Sequence, residues 1–165
     1  MKKHLLFLLA ICTVALMTVS CNRENGGGGN TVSNIKIQYK MLESYNLAGE
    51  IVQISPGFHY NIKYVDATGK TVEVNNVTAP WVLPDFEVKA PFTARIEGTI
   101  VFNENELPDG PIHFGAAPKI CVLKGGDQVI YDNDVTGYFN TKEKFLEYVA
   151  SHPEKMSFKV ERTIQ

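Results

Sequence analysis

Residues 58–77 read FHYNIKYVDATGKTVEVNNV, and their reading decides the fold. Phe58, Tyr60, Ile62 and Tyr64 alternate with His59, Asn61 and Lys63, the two-residue period of a half-buried strand. Val72, Val74 and Val77 mark a second strand, and Asp66-Ala67-Thr68-Gly69-Lys70 lies between the two. A three-residue loop with glycine in the left-handed position closes such a hairpin and pairs Asp66 with Lys70. Counting back, Tyr64 meets Val72 and Ile62 meets Val74 on one face, while Lys63 meets Glu73 on the other. A slip of one residue would break both matches, so turn chemistry and hydrophobic pattern specify the same register.

A second hairpin follows from KICVLKGGDQVIY, residues 119–131. Gly125-Gly126 suits a two-residue turn, in which both central residues need positive φ. Lys124 then meets Asp127, Val122 meets Val129, Ile120 meets Tyr131, and Cys121 meets Ile130 on the opposite face. Both faces carry apolar side chains, so the second face requires a cover. The stretch NTKEKFLEYVASHP, residues 140–153, is the expected cover: a helix capped by Asn140 with Glu143, burying Phe145 and Leu146 and stopped by Pro153. Further strands are expected where Ile35, Ile37, Tyr39 and Met41 alternate, from Phe92 to Phe102, and at Met156, Phe158 and Val160. Pro84 and Pro91 bracket an edge segment holding Phe86 and Val88. Many short strands with turn signals predict a mainly β protein, an Ig-like antiparallel β-sandwich with one short α-helix before the last strand. The single Trp81, after Pro80, is expected between the sheets.

The chain begins with Met1-Lys2-Lys3 and an apolar run from Leu5 to Val19, the layout of a secretory signal peptide and too short to span a bilayer comfortably. Thr18-Val19-Ser20-Cys21 resembles a bacterial lipobox. The resemblance implies cleavage before Cys21, a diacylglyceryl group on its thiol and acylation of the new amine. Thr18 stands where that family prefers leucine. It also implies, through Asn22, an outer-membrane lipoprotein of a Gram-negative cell envelope, on its periplasmic or its outer face. Residues 21–33 are polar and Gly-rich, a linker whose coil would reach about 20 Å. The expected organisation is therefore a leader over 1–20, a lipidated linker over 21–33 and a β-domain over 34–165.

Lysine and arginine number 16 against 18 aspartates and glutamates, without a basic stripe, which argues against nucleic acid as a partner. With Cys12 in the leader and Cys21 lipidated, Cys121 has no partner for a disulfide, so apolar packing must hold the domain. No cofactor motif is present. Cys121 with His59 or His113 would make a nucleophile only if exposed; its place between Ile120 and Val122 predicts a buried thiol. Asp132 and Asp134, or Glu104, Glu106 and Asp109, offer oxygens to calcium, and the acidic loop of Glu104 and Glu106 offers a glycosidase carboxylate pair. The EF-hand spacing is missing, and Asn and Asp favour turns for backbone reasons. The aromatics Tyr45, Trp81 and Tyr138 are the candidate ligand contacts, Tyr45 foremost because LESYNLAGE reads as a loop.

Residues 61–81, NIKYVDATGKTVEVNNVTAPW, resemble the core of the Ig-like sandwich in MmpS-type membrane-anchored accessory proteins. The matching features are Tyr64, Asp66, Gly69, Val74, Val77, Pro80 and Trp81. This chain departs from that family in residues 103–114, in its helix and in its lipid rather than transmembrane anchor. The resemblance implies the fold and an accessory role at a membrane. The expected function is a lipid-anchored envelope module, without catalytic activity, that binds an envelope protein or glycan. The alternatives are an envelope hydrolase using the acidic loop and a structural subunit that self-associates through an unpaired edge strand.

Overall fold

The computed structural model describes residues 34–165; the expected leader, Cys21 and the glycine-rich linker lie outside them. Twelve strands and one helix follow in order: β1 (Ile35–Leu42), β2 (Ser44–Leu47), β3 (Glu50–Gln53), β4 (Phe58–Val65), β5 (Thr71–Val77), β6 (Trp81–Val82), β7 (Phe86–Val88), β8 (Phe92–Phe102), β9 (Ile112–Lys124), β10 (Asp127–Asp132), β11 (Val135–Phe139), α1 (Lys142–Ser151) and β12 (Ser157–Ile164). One sheet runs β10-β9-β1-β6, with β7 also on β1 and β11 also on β9; the other runs β12-β8-β4-β5. All their pairings are antiparallel, and β2 and β3 form a separate hairpin. The protein is the expected antiparallel β-sandwich with a short helix before its last strand.

Both hairpins take the registers that their turns dictate. Asp66 N–H donates to the Lys70 carbonyl at 2.9 Å, Gly69 has φ 81°, and Tyr64–Val72, Lys63–Glu73 and Ile62–Val74 are partners. Beyond Ile62 the register shifts, so that Tyr60 meets Val77. Asn76 absorbs the extra residue at φ 57°, and its N–H donates to Asn61 Oδ1 at 3.0 Å. This bulge returns Val77 to the core face, which a plain alternation would have missed. In β9 and β10, Lys124–Asp127, Val122–Val129, Cys121–Ile130 and Ile120–Tyr131 pair as counted from the two glycines.

The core lies between the layers. Ile35, Ile37, Tyr39 and Met41 of β1 face Ala94, Ile96 and Ile100 of β8 and Tyr60 and Ile62 of β4, all buried. Two tyrosines stitch the layers in opposite directions. Tyr39 Oη donates to the Val65 carbonyl at 2.9 Å and accepts from Arg95 N–H at 3.2 Å, while Tyr60 Oη donates to the Gly115 carbonyl at 3.0 Å. Burial pushes the Tyr39 hydroxyl up to about 12, against a smaller opposing pull from Arg95, and burial raises Tyr60 as well. A phenol held protonated in the folded state stabilises it fully below the unfolded value near 10, and that stability is lost as pH rises from there towards 12. Urea unfolding as a function of pH is expected to show this loss, with Tyr39→Phe and Tyr60→Phe each making the alkaline slope shallower. An unchanged slope in the double variant would contradict it.

Two expectations are corrected, and Trp81 takes its expected place between the sheets. Helix α1 does not cover the face of Cys121 and Ile130. It closes one end of the core: Phe145 is 0 % exposed, with its ring 5.6, 5.2, 5.7 and 5.5 Å from those of Phe58, Phe102, Phe114 and Phe139. Strand β11 runs back along the first half of β9, so the helix that follows starts at the end of the sandwich, not over its outer face. Its N-cap is Thr141 rather than Asn140: at φ −142° Thr141 accepts from Lys144 N–H at 3.4 Å. Trp81 is half-buried on edge strand β6 opposite Met41, and it spans the layers there by its contact with Tyr64, 6.0 Å between ring centres.

Candidate functional site

The two outer faces of the sandwich differ in chemistry. On the second sheet, Lys159, Glu97, Lys63 and Glu73 stand in one row across all four strands. Lys63 Nζ is 2.6 Å from Glu73, Lys159 is 3.3 Å from Glu161, and Arg95 reaches Glu97 at 3.6 Å and Glu161 at 3.8 Å. Exposed pairs of this kind contribute less than about 1 kcal/mol each, but together they leave a charge-balanced, solvated surface.

The first sheet presents a groove of about 490 Å3 bordered by Leu42, Tyr45, Asn46, Ile51 and the group Lys119, Asp132 and Asp134. Tyr45 is not in a loop. Residues 44–53 form the β2–β3 hairpin, in which Ala48 and Gly49 take φ 52° and 94°, the left-handed pair that a tight hairpin turn needs. Alanine is a poor sequence signal for that conformation, which is why the segment reads as a loop. Tyr45 is 4 % exposed, and its ring lies against Gly115 of β9. A Cβ on Gly115 would come within 2.7 Å of the Val135 carbonyl oxygen, so the glycine makes room for β11, while the Tyr45 ring stands at an ordinary contact distance of 3.5 Å. Ile51, by contrast, is 74 % exposed.

The floor of the groove is an ion cluster. Lys119 Nζ lies 2.8 Å from Asp134 Oδ1 and 3.0 Å from Asp132 Oδ2. The two carboxylates raise the Lys119 ammonium above its ordinary value although burial, the largest single influence, opposes them. Asp132 and Asp134 are therefore engaged with a cation of the chain itself. Among the described residues no group of three or more His, Cys, Asp or Glu is arranged to hold a metal ion. Sequence reading did not single out Lys119, yet the signal was present: extending the Gly125-Gly126 hairpin count places Lys119 opposite Asp132.

The aromatic candidates do not share one surface. Tyr138 is 54 % exposed beside His113, its cross-strand partner, with rings 5.0 Å apart. His113 and Gly115 are two residues apart on β9, so Tyr45 and Tyr138 belong to one outer face. Trp81 faces the core at the other edge of that sheet. Cys121 is buried, and His113 lies eight residues back along the same strand, about 26 Å away by strand rise. His59 sits on the second sheet, 3.7 Å from Glu106 Oε2, and Asn103 Nδ2 donates to the other oxygen of that carboxylate at 2.6 Å. The acidic loop is anchored by buried Leu107 and by the Asn103 N–H bond to the Gly57 carbonyl. Asp109 extends from it towards Lys142 at 3.9 Å.

No protein-family model matches the chain, and no curated protein matches it.

Proposed function

We propose that the chain is a lipid-anchored binding module of a Gram-negative cell envelope, acting without catalysis on an envelope protein or glycan. The anchor rests on the apolar leader, the Thr18-Val19-Ser20-Cys21 stretch and the glycine-rich residues that follow. More than one acyl chain on Cys21 makes such anchoring stable. The outer membrane is the proposed location, by the lipobox resemblance and Asn22.

The observation that carries the binding role is the inequality of the two outer faces. One is a compensated charge lattice. The other has a groove with a polar floor, an exposed isoleucine on its rim and a seated hairpin for a wall. Convergent polar groups beside apolar side chains are what a recognition site requires. A role for Trp81 is not part of this reading, since its ring is committed between the layers; Tyr138 borders the same outer face as the groove.

Mass spectrometry of the natural product tests the anchor: Cys21 is expected at the N-terminus carrying acyl chains, and an intact leader would overturn this half of the proposal. For the binding half, Ile51→Asp and Asn46→Ala are made in the full chain and used as bait in pull-downs from the same envelope. A partner captured by the parent is expected to be lost at least about tenfold with Ile51→Asp. Equal capture by all three baits would remove the groove as the site.

A further inference from the structure

Strand β10 is an open edge. Among the described residues it pairs only with β9. Edge strands are commonly protected by an inward lysine, a proline or a bulge. β10, Asp-Gln-Val-Ile-Tyr-Asp, has none of these, and Val129 and Ile130 are 47 % and 54 % exposed on opposite faces. The Gly125-Gly126 turn makes Lys124 and Asp127 a hydrogen-bonded pair, so Asp127, Val129 and Tyr131 direct their backbone groups at β9. Gln128, Ile130 and Asp132 turn theirs outward. On its core side the edge overhangs a cleft of about 390 Å3 lined by Val122, Val129, Tyr131 and Ile164.

We propose that β10 pairs antiparallel with β10 of a second copy, about a two-fold axis through Val129, joining the first sheets of two protomers. Antiparallel partners share a face, and in this register Val129 meets Val129 of the second copy while Gln128 meets Ile130. The outward amides and carbonyls of Gln128 and Ile130 then satisfy one another. The charges select this occupant. Asp127 meets Tyr131 of the second copy, and over the Tyr131 ring, 5.3 Å from its centre, lies the Arg162 guanidinium. Neither Asp127 nor Arg162 has an ion-pair partner among the described residues. Two-fold symmetry brings them together twice. The neighbouring charges are already engaged: Lys119 holds Asp132, and Lys124 Nζ donates to the Gln165 carbonyl at 2.7 Å. The pairing needs neither the lipid anchor nor the groove.

The full chain in mild detergent supplies the test. Sedimentation is expected to show a dimer. Val129→Cys is expected to yield a disulfide-linked dimer on mild oxidation, because directly opposed residues of a non-hydrogen-bonded pair sit about 4.5 Å apart at Cα, within disulfide range. Tyr138→Cys, exposed on the same side of β9 but nine residues along the chain from Val129 and so far from its own symmetry mate, is expected to yield none above the parent. Asp127→Arg and Arg162→Asp should each weaken the dimer by about tenfold or more, and mixing the two variants should restore a heterodimer. A monomeric parent, cross-linking of Val129→Cys no greater than that of Tyr138→Cys, or failure of the mixture to pair would each overturn the proposal.

Discussion

Replacing Phe145 with alanine is expected to lower the stability of the domain by about 3–5 kcal/mol. Phe145 is the one buried residue of α1, and its ring touches four other phenylalanines drawn from β4, β8, β9 and β11. Truncation removes the transfer free energy of the ring and leaves a cavity walled by rigid aromatic edges, which relax poorly. The helix also loses its hold. At ten residues it is too short to persist without tertiary packing. A fall in Tm of about 10–20 °C follows for a domain of this size. Phe145→Leu keeps most of the volume and is expected to cost less than half as much. Urea unfolding of parent and both variants checks the order, and a loss below about 1 kcal/mol for the alanine variant would contradict the packing described.

Gly98→Ala is the second large effect, for the opposite reason. Gly98 sits in β8 between Ile62 of β4 and Phe158 of β12. A Cβ there would overlap the Asn61 carbonyl oxygen and come within 2.9 Å of Phe158 Cζ. The ring could move; the carbonyl belongs to the backbone of a central strand and could not, short of opening the sheet. Overpacking of this kind costs about 3 kcal/mol or more. Two further variants separate the causes. Phe158→Leu added to Gly98→Ala is expected to restore little, because the clash with Asn61 remains. Gly110→Ala, where an added Cβ would meet nothing within 4 Å, is expected to stay within about 0.5 kcal/mol of the parent. Full rescue by Phe158→Leu would shift the explanation from the backbone to the ring.

Gly98 shows where reading by pattern reaches its end. In the sequence it is a glycine interrupting the alternation Ala94, Ile96, Ile100, and nothing in β8 says why. The reason lies in Asn61, 37 positions earlier, and in Phe158, 60 positions later. Tyr45 illustrates the same point in the candidate site. Its neighbours are polar, its turn lacks the usual Asn-Gly, and the surface that buries it belongs to Gly115 of β9, 70 positions later in the chain. Lys119 was within reach of a hairpin count, but its second carboxylate, Asp134, lies past the end of β10 and enters through the turn into β11.

Amino-acid order alone determined the β class, both hairpin registers, the alternating core rows and the helix before the last strand. Each of these rests on turn geometry or periodicity among residues close in the chain, where a one-residue error would expose a whole row of apolar side chains. The fold in three dimensions decided which apolar faces are covered, where Phe145 is buried, how Tyr45 is spent, and that β10 is left with an open edge. Burial depends on what a distant segment brings to a surface, and strand neighbours such as β1 with β9 or β4 with β8 are set by the packing of two layers together, which no short stretch encodes.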